Sequence, residues 1–121
     1  DVVLGIEARG FLFASALAYK LNAGLVIVRK PGKLPYKTKS VTYALEYGTD
    51  SLQIHDDAIR AGQRVLIVDD VLATGGTVKA VTELVRQFNA DIAGIAFLSE
   101  LAFLRGREKL AEFELSTLIT F

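Results

Sequence analysis

Apolar positions cluster along the chain in two ways. Short unbroken runs occur at Val2–Ile6, Leu25–Val28, Val65–Val68 and Ile92–Leu98. Runs of this length, bounded by glycine or charge, predict buried strands. Longer stretches alternate apolar and polar residues at a wider period. Phe11–Leu21 is apolar, with Lys20 near its end and Asn22 beyond, and predicts a helix. Val78, Val81, Leu84, Val85 and Phe88 recur at helical spacing and predict a second helix over Thr77–Phe88. Gly24 separates the first helix from the second strand. Strand, helix and strand at this spacing form a βαβ unit, so the two strands run parallel.

Between these elements the pattern weakens. Lys30–Tyr43 (KPGKLPYKTKSVTY) holds two prolines, one glycine and four lysines but no acid, and predicts a loop. A loop of this length is usually functional or disordered. Tyr43–Tyr47 and Leu52–Ile54 predict short strands around Gly48-Thr49-Asp50, as in a hairpin. Asp56–Ile59 predicts a helical turn, with Asp56 and Asp57 read as solvated capping acids. Leu72–Gly76 predicts a tight turn, Leu104–Leu110 a basic short helix, and Phe113–Ile119 a last strand. The order implies an α/β fold: a mostly parallel central sheet flanked by helices, in one domain across residues 1–121.

Composition narrows the chemistry. Fourteen Lys+Arg balance fourteen Asp+Glu, so no overall field draws the chain to nucleic acid or to a membrane surface. There is no cysteine and His55 is the lone histidine, which excludes disulfides, thiolate metal sites and multi-histidine metal sites. No apolar run reaches the length of a membrane span, and a cytoplasmic protein is expected. Hydrophobic residues make up 51%, with mean hydropathy +0.35. Either the core is very well filled, or a partner subunit or further chain covers apolar surface. The chain opens directly on a strand without Met, and a longer parent polypeptide is expected.

The sharpest motif is VLIVDDVLATGGT, Val65–Thr77. It sets Asp69 and Asp70 at the carboxyl end of a buried strand, where open α/β sheets bind ligands. A small-residue loop and a helix start follow, whose free N–H groups suit a phosphate. Gly75 and Gly76 allow close backbone approach, and Thr74 and Thr77 add hydroxyl donors. The two acids suit ribose hydroxyls on the same ligand. The plain alternative is a βα turn whose Asp or Thr merely caps the helix. The motif is neither a Walker A loop nor a Gly-x-Gly-x-x-Gly turn.

This motif resembles the signature of the type I phosphoribosyltransferases. GIEARGFLF (Gly5–Phe13), RKPGKLP from Arg29, YALEYG ending at Gly48, IAFLSEL and LRGREKL resemble the adenine-specific members, nearly end to end. The resemblance implies the type I phosphoribosyltransferase fold. It also implies a purine-salvage pentosyl transfer: adenine and phosphoribosyl pyrophosphate (PRPP) give AMP and pyrophosphate. Mg²⁺ bound through substrate, with no direct protein ligand, and a homodimer come with it.

The same resemblance assigns residues. Asp69, Asp70, Ala73, Thr74, Gly75, Gly76 and Thr77 would bind the ribose phosphate of PRPP or AMP. Ala8, Arg9, Arg29, Lys30, Lys33 and Tyr47 would bind pyrophosphate. The turn at Ala8-Arg9-Gly10 would hold a cis bond, either Glu7–Ala8 or Ala8–Arg9. Arg9 and Glu46 would be catalytic, Glu46 handling a proton near adenine. Leu101, preceded by Glu100, would flank the purine, or else simply pack in the core. Residues 30–47 would form a mobile flap that excludes water. Lys37 and Lys39 read as solvated, and His55 has no assigned role. Ala8 and Ala14 stand where Ser and Gly are common in some members. The family's N-terminal hood, part of the adenine pocket, is expected to be missing from this chain. Two other readings stay open: a PRPP-binding regulatory domain of a purine transcription regulator, and a xanthine phosphoribosyltransferase.

Overall fold

In the computed structural model, which describes residues 1–45 and 47–121, five strands form one parallel sheet. They are β1 (Val2–Ile6), β2 (Gly24–Val28), β5 (Arg64–Leu72), β6 (Asp91–Glu100) and β7 (Leu115–Thr120), in the spatial order β2-β1-β5-β6-β7. Two more strands, β3 (Thr38–Ala44) and β4 (Thr49–His55), pair antiparallel as a hairpin. The hairpin is tied to the end of β2 through Arg29, whose N–H and carbonyl both bond Gln53, at 2.9 and 2.8 Å.

Each face of the sheet has its own cover. Helix α1 (Gly10–Leu21) buries Gly10, Ala14 and Ala18, a stripe of small residues four apart. That stripe lets it lie close on β1, where Gly5 has no room for a side chain. A Cβ there would stand 2.6 Å from the Ala14 Cβ. Helix α2 (Gly76–Arg86) is more sharply amphipathic and buries Val78, Val81, Leu84 and Val85 on the other face. The hairpin joins α2 there, and Leu52 and Ile54 are fully buried in the larger core cluster.

The predicted βαβ start is observed almost to the residue, and the corrections lie elsewhere. Thr38–Tyr43 is strand, not loop. Val41 and Tyr43 are half-buried against the core while Ser40 and Thr42 face out, a period-2 pattern that the prolines and lysines before it obscure. Lys39 is not merely solvated, since its Nζ lies 5.3 Å from the centre of the Phe88 ring. Residues 56–59 make a turn and no helix; the Ala58 N–H reaches the His55 carbonyl at 3.1 Å. The basic helix over Leu104–Leu110 is instead two short 3₁₀ helices, Ala102–Leu104 and Gly106–Leu110. Arg105, left-handed at φ 58°, breaks them apart. No helix among the described residues is long and apolar enough to cross a membrane.

Because the five strands run parallel, the segments leaving β1, β2, β5 and β6 gather at one edge of the sheet. Gly5→Ala should test the close packing that supports this edge. We expect a loss of about 1–3 kcal/mol, the usual cost of overpacking a tight contact, in denaturant unfolding. Unchanged stability would show that α1 does not lie against β1 as described.

Candidate active site

Strand β5 runs on through both acids and ends at Leu72, so Asp69 and Asp70 lie inside it, not at its tip. Pairing with β6 carries the strand that far, with Val71 opposite Ser99 and Leu72 opposite Glu100. Ala73, Thr74 and Gly75 then turn into α2. Gly75 sits at φ 87°, left-handed, and a Cβ there would stand 2.9 Å from the Gly106 carbonyl oxygen. No side chain among the described residues caps α2. The capping-turn alternative therefore fails, and the first N–H groups of the helix stay available to an anion. A small cavity of about 90 Å³ lies here, walled by Asp69 and the run 71–78 together with Phe97.

Asp69 and Asp70 differ in environment. Asp69 accepts the N–H of Asp70 at 2.9 Å. Burial, with Asp70's negative charge adding to it, pushes the Asp69 carboxyl up to about 7. Gly10 makes room for this group: a Cβ at Gly10 would come within 2.9 Å of Asp69 Oδ1. Asp70 pairs with Arg9 at 2.7 Å; the arginine side chain is 78% exposed and the aspartate only 14%.

A second cavity, about 410 Å³, shares Asp69, Val71, Ala73 and Thr77 with the first. Its remaining wall includes Glu7, Ala8, Arg9, Lys30, Tyr43 and Asp70. Of the two bonds left open by sequence, the cis peptide is Glu7–Ala8. Thus residues from β1 and the turn after it, the segment after β2, β5 with its loop, and the hairpin meet around one cleft.

Arg29 and Lys33 lie outside both cavity walls, and the basic residues in and beside the cleft are not free. Glu7 accepts Arg29 Nε at 3.3 Å and the Lys30 N–H at 2.9 Å, and also pairs with Lys33. Lys30 pairs with Asp50, which the Tyr43 hydroxyl also approaches at 3.5 Å. The Lys33 contact, foremost, holds the Glu7 carboxyl below its ordinary value. Lys30 does the same for Asp50, and Asp50 in turn raises Lys30. Glu7 and Asp50 are the residues that sequence reading gave no role. Their cationic partners lie 20 to 26 positions away in the chain, so no local pattern announces them.

The remaining candidates stand at the margin. Leu101 sits just past β6, its N–H bonded to the Leu72 carbonyl at 2.9 Å, beside the start of the loop but outside both cavity walls. Tyr47 is 87% exposed at the hairpin turn. Glu46 lies outside the described residues. Among those residues, no group of three or more His, Cys, Asp or Glu could hold a metal ion unaided.

Comparison with known proteins agrees with this geometry. The profile of the phosphoribosyl transferase domain matches residues 1–112. The adenine phosphoribosyltransferase of Geobacter metallireducens is 62% identical over 121 residues, which is all of this chain and 71% of that protein. The crystal structure of the adenine phosphoribosyltransferase of Thermoanaerobacter pseudethanolicus superposes with TM-score 0.97 at 56% identity, covering 100% of this chain and 70% of that one. The Saccharomyces cerevisiae enzyme was crystallised with an imino-altritol bisphosphate and adenine. It superposes with TM-score 0.89 at 45% identity over 98% of this chain and 66% of that one.

The state of Asp69 has a measurable consequence. Its folded value, about 7, lies above the ordinary 3.8. Between those values the folded protein holds a proton that the unfolded chain has lost. That contribution to stability is complete at low pH and disappears as pH rises through about 7. Glu7 and Asp50 act in the opposite sense, stabilising above the ordinary carboxylate range and losing that effect in acid. Asp69→Asn removes only the first effect. Melting curves should show the variant gaining on wild type between about pH 4 and about pH 7 and holding level above that. A constant difference would place Asp69 in the ordinary carboxylate range.

Proposed function

The chain belongs to the adenine phosphoribosyltransferases, and we propose that its cleft joins adenine to the ribose phosphate of PRPP, giving AMP and pyrophosphate. The observation that supports this most is the shared wall. One stretch of β5 and its loop supplies two carboxyl groups and an uncapped helix start, and the adjoining rim supplies Arg9 and Lys30.

On this reading the 5′-phosphate sits on Ala73–Thr77, held by backbone N–H groups and the threonine hydroxyls. Asp69 and Asp70 accept hydrogen bonds from the ribose hydroxyls. Arg9, with Ala8 beside it, faces the departing pyrophosphate together with Arg29, Lys30, Lys33 and Tyr47. Arg9 presents a planar fork suited to phosphate oxygens. Adenine N9 attacks C1′ as the bond from C1′ to the pyrophosphate oxygen breaks, and the N9 proton leaves. Glu46 handles that proton, and Leu101 flanks the purine. The carbon at C1′ becomes cation-like midway, so catalysis rests on positioning and electrostatic stabilisation.

Mg²⁺ carried on the diphosphate would neutralise its oxygens. The ion reaches the protein through the substrate's oxygens, which suits a cleft with no metal-ligating cluster among its described residues. Asp69 and Asp70 stay with the ribose hydroxyls. The segment 30–47 acts as the closing flap. A homodimer fits the large exposed apolar side chains, among them Tyr19 at 91%, Leu118 at 77% and Phe103 at 74%. Purine salvage in the cytoplasm is the setting that accompanies this reaction.

Asp70→Asn should lower turnover by roughly 10²-fold or more, as losing one preorganised polar contact commonly does. Steady-state assay of AMP formation measures it. Near-normal kinetics would remove Asp70 from the ribose site.

A further inference from the structure

Glu100, the last residue of β6, is only 5% exposed. It takes both contacts of one Arg107 group, Nε donating to Oε1 at 2.9 Å and to Oε2 at 2.8 Å. Thr117 of β7 closes the cluster. Its hydroxyl donates to Glu100 Oε1 at 3.2 Å and accepts from Arg107 Nη2 at 3.3 Å. A buried acid is costly to desolvate and is weak grounds for stability by itself. What the pair holds in place is more telling.

Arg107 follows Gly106, and Gly106 lies against the loop after β5. A Cβ at Gly106 would fall on the Ala73 carbonyl oxygen and stand 2.8 Å from Leu72 Cδ1. The Gly106 carbonyl in turn occupies the space a Gly75 side chain would need, 2.9 Å away. The backbone at 106 is therefore a template on which Ala73–Gly75 rests. That template is a short 3₁₀ segment next to a left-handed Arg105. Such a segment has little internal hydrogen bonding to fix its position. Buried Leu110 anchors one end, and Arg107 anchors the other to Glu100.

We propose that the Glu100–Arg107 pair positions the phosphate loop through the Gly106 backbone and so sets affinity for the 5′-phosphate, an inference that rests on the reading of the cleft given above. The pair touches no reacting atom; both are positioning residues. Pyrophosphate, on the opposite rim at Ala8 and Arg9, should be indifferent to it.

The test is calorimetric binding of AMP and, separately, of inorganic pyrophosphate with Mg²⁺, to the full chain and its variants. Arg107→Met should weaken AMP roughly tenfold, as expected from losing one charge-assisted hydrogen bond, and change pyrophosphate by less than about twofold. Arg107→Lys should recover part of the AMP affinity. Gly106→Ala, which displaces the same carbonyl without touching the ion pair, should reproduce the split. If Arg107→Met does not fold, the last two variants decide. AMP affinity unchanged in the folded variants overturns the proposal. So does a joint fall of AMP and pyrophosphate affinity that follows the melting temperature. Wild-type protein that binds no AMP overturns the reading of the cleft along with it.

Discussion

Strand β5 lies between β1 and β6, hydrogen-bonded to both, and the geometry of the cleft follows from how far it extends. Its apolar first half is buried on both faces, with Val65 and Ile67 fully enclosed. A slip of one residue would put Asp69 where Val68 is now buried, and that cost fixes the register. The register in turn sets where Asp69 and Asp70 emerge and where the chain must leave the sheet. Leu72 is the last residue to pair. Everything after it, up to the start of α2, has to turn within three residues. Only a left-handed Gly75 resting on a bare Gly106 backbone lets it do so.

Charge in the cleft is compensated before any ligand arrives. Arg9 holds Asp70, Glu7 holds Arg29 and Lys33, and Asp50 holds Lys30. Such pairing keeps mobile cations in place and limits their desolvation cost. On the proposed reading, diphosphate oxygens replace carboxylates as partners of these cations. Most of these pairs are partly exposed, so each contributes little to stability. Their value lies in orientation, which is where a mainly electrostatic mechanism draws its rate.

Much of this was legible in the residues. The runs at Val2–Ile6 and Val65–Val68 are too apolar to be anything but buried, and GG after two acids marks a turn against a ligand edge. The adenine-specific resemblance rests on strings such as GIEARGFLF, and the relatives bear it out. Three things were hidden. The alternation at Val41 and Tyr43 follows a lysine-rich, proline-broken stretch and reads as loop until its strand partner is known. The break at Arg105 depends on tertiary contact, since nothing nearby in sequence demands a left-handed residue there. The pairs Glu7–Lys33, Lys30–Asp50 and Glu100–Arg107 join residues that meet only once the sheet has formed. A sequence reading sees such groups as free charges.

The most direct test of the account is transfer of labelled adenine to PRPP by this chain with Mg²⁺, with hypoxanthine and xanthine as parallel acceptors. AMP should form from adenine, and no nucleotide from the other two bases. Nucleotide formed from xanthine or hypoxanthine at a comparable rate, or none from adenine by protein that binds PRPP, would contradict it.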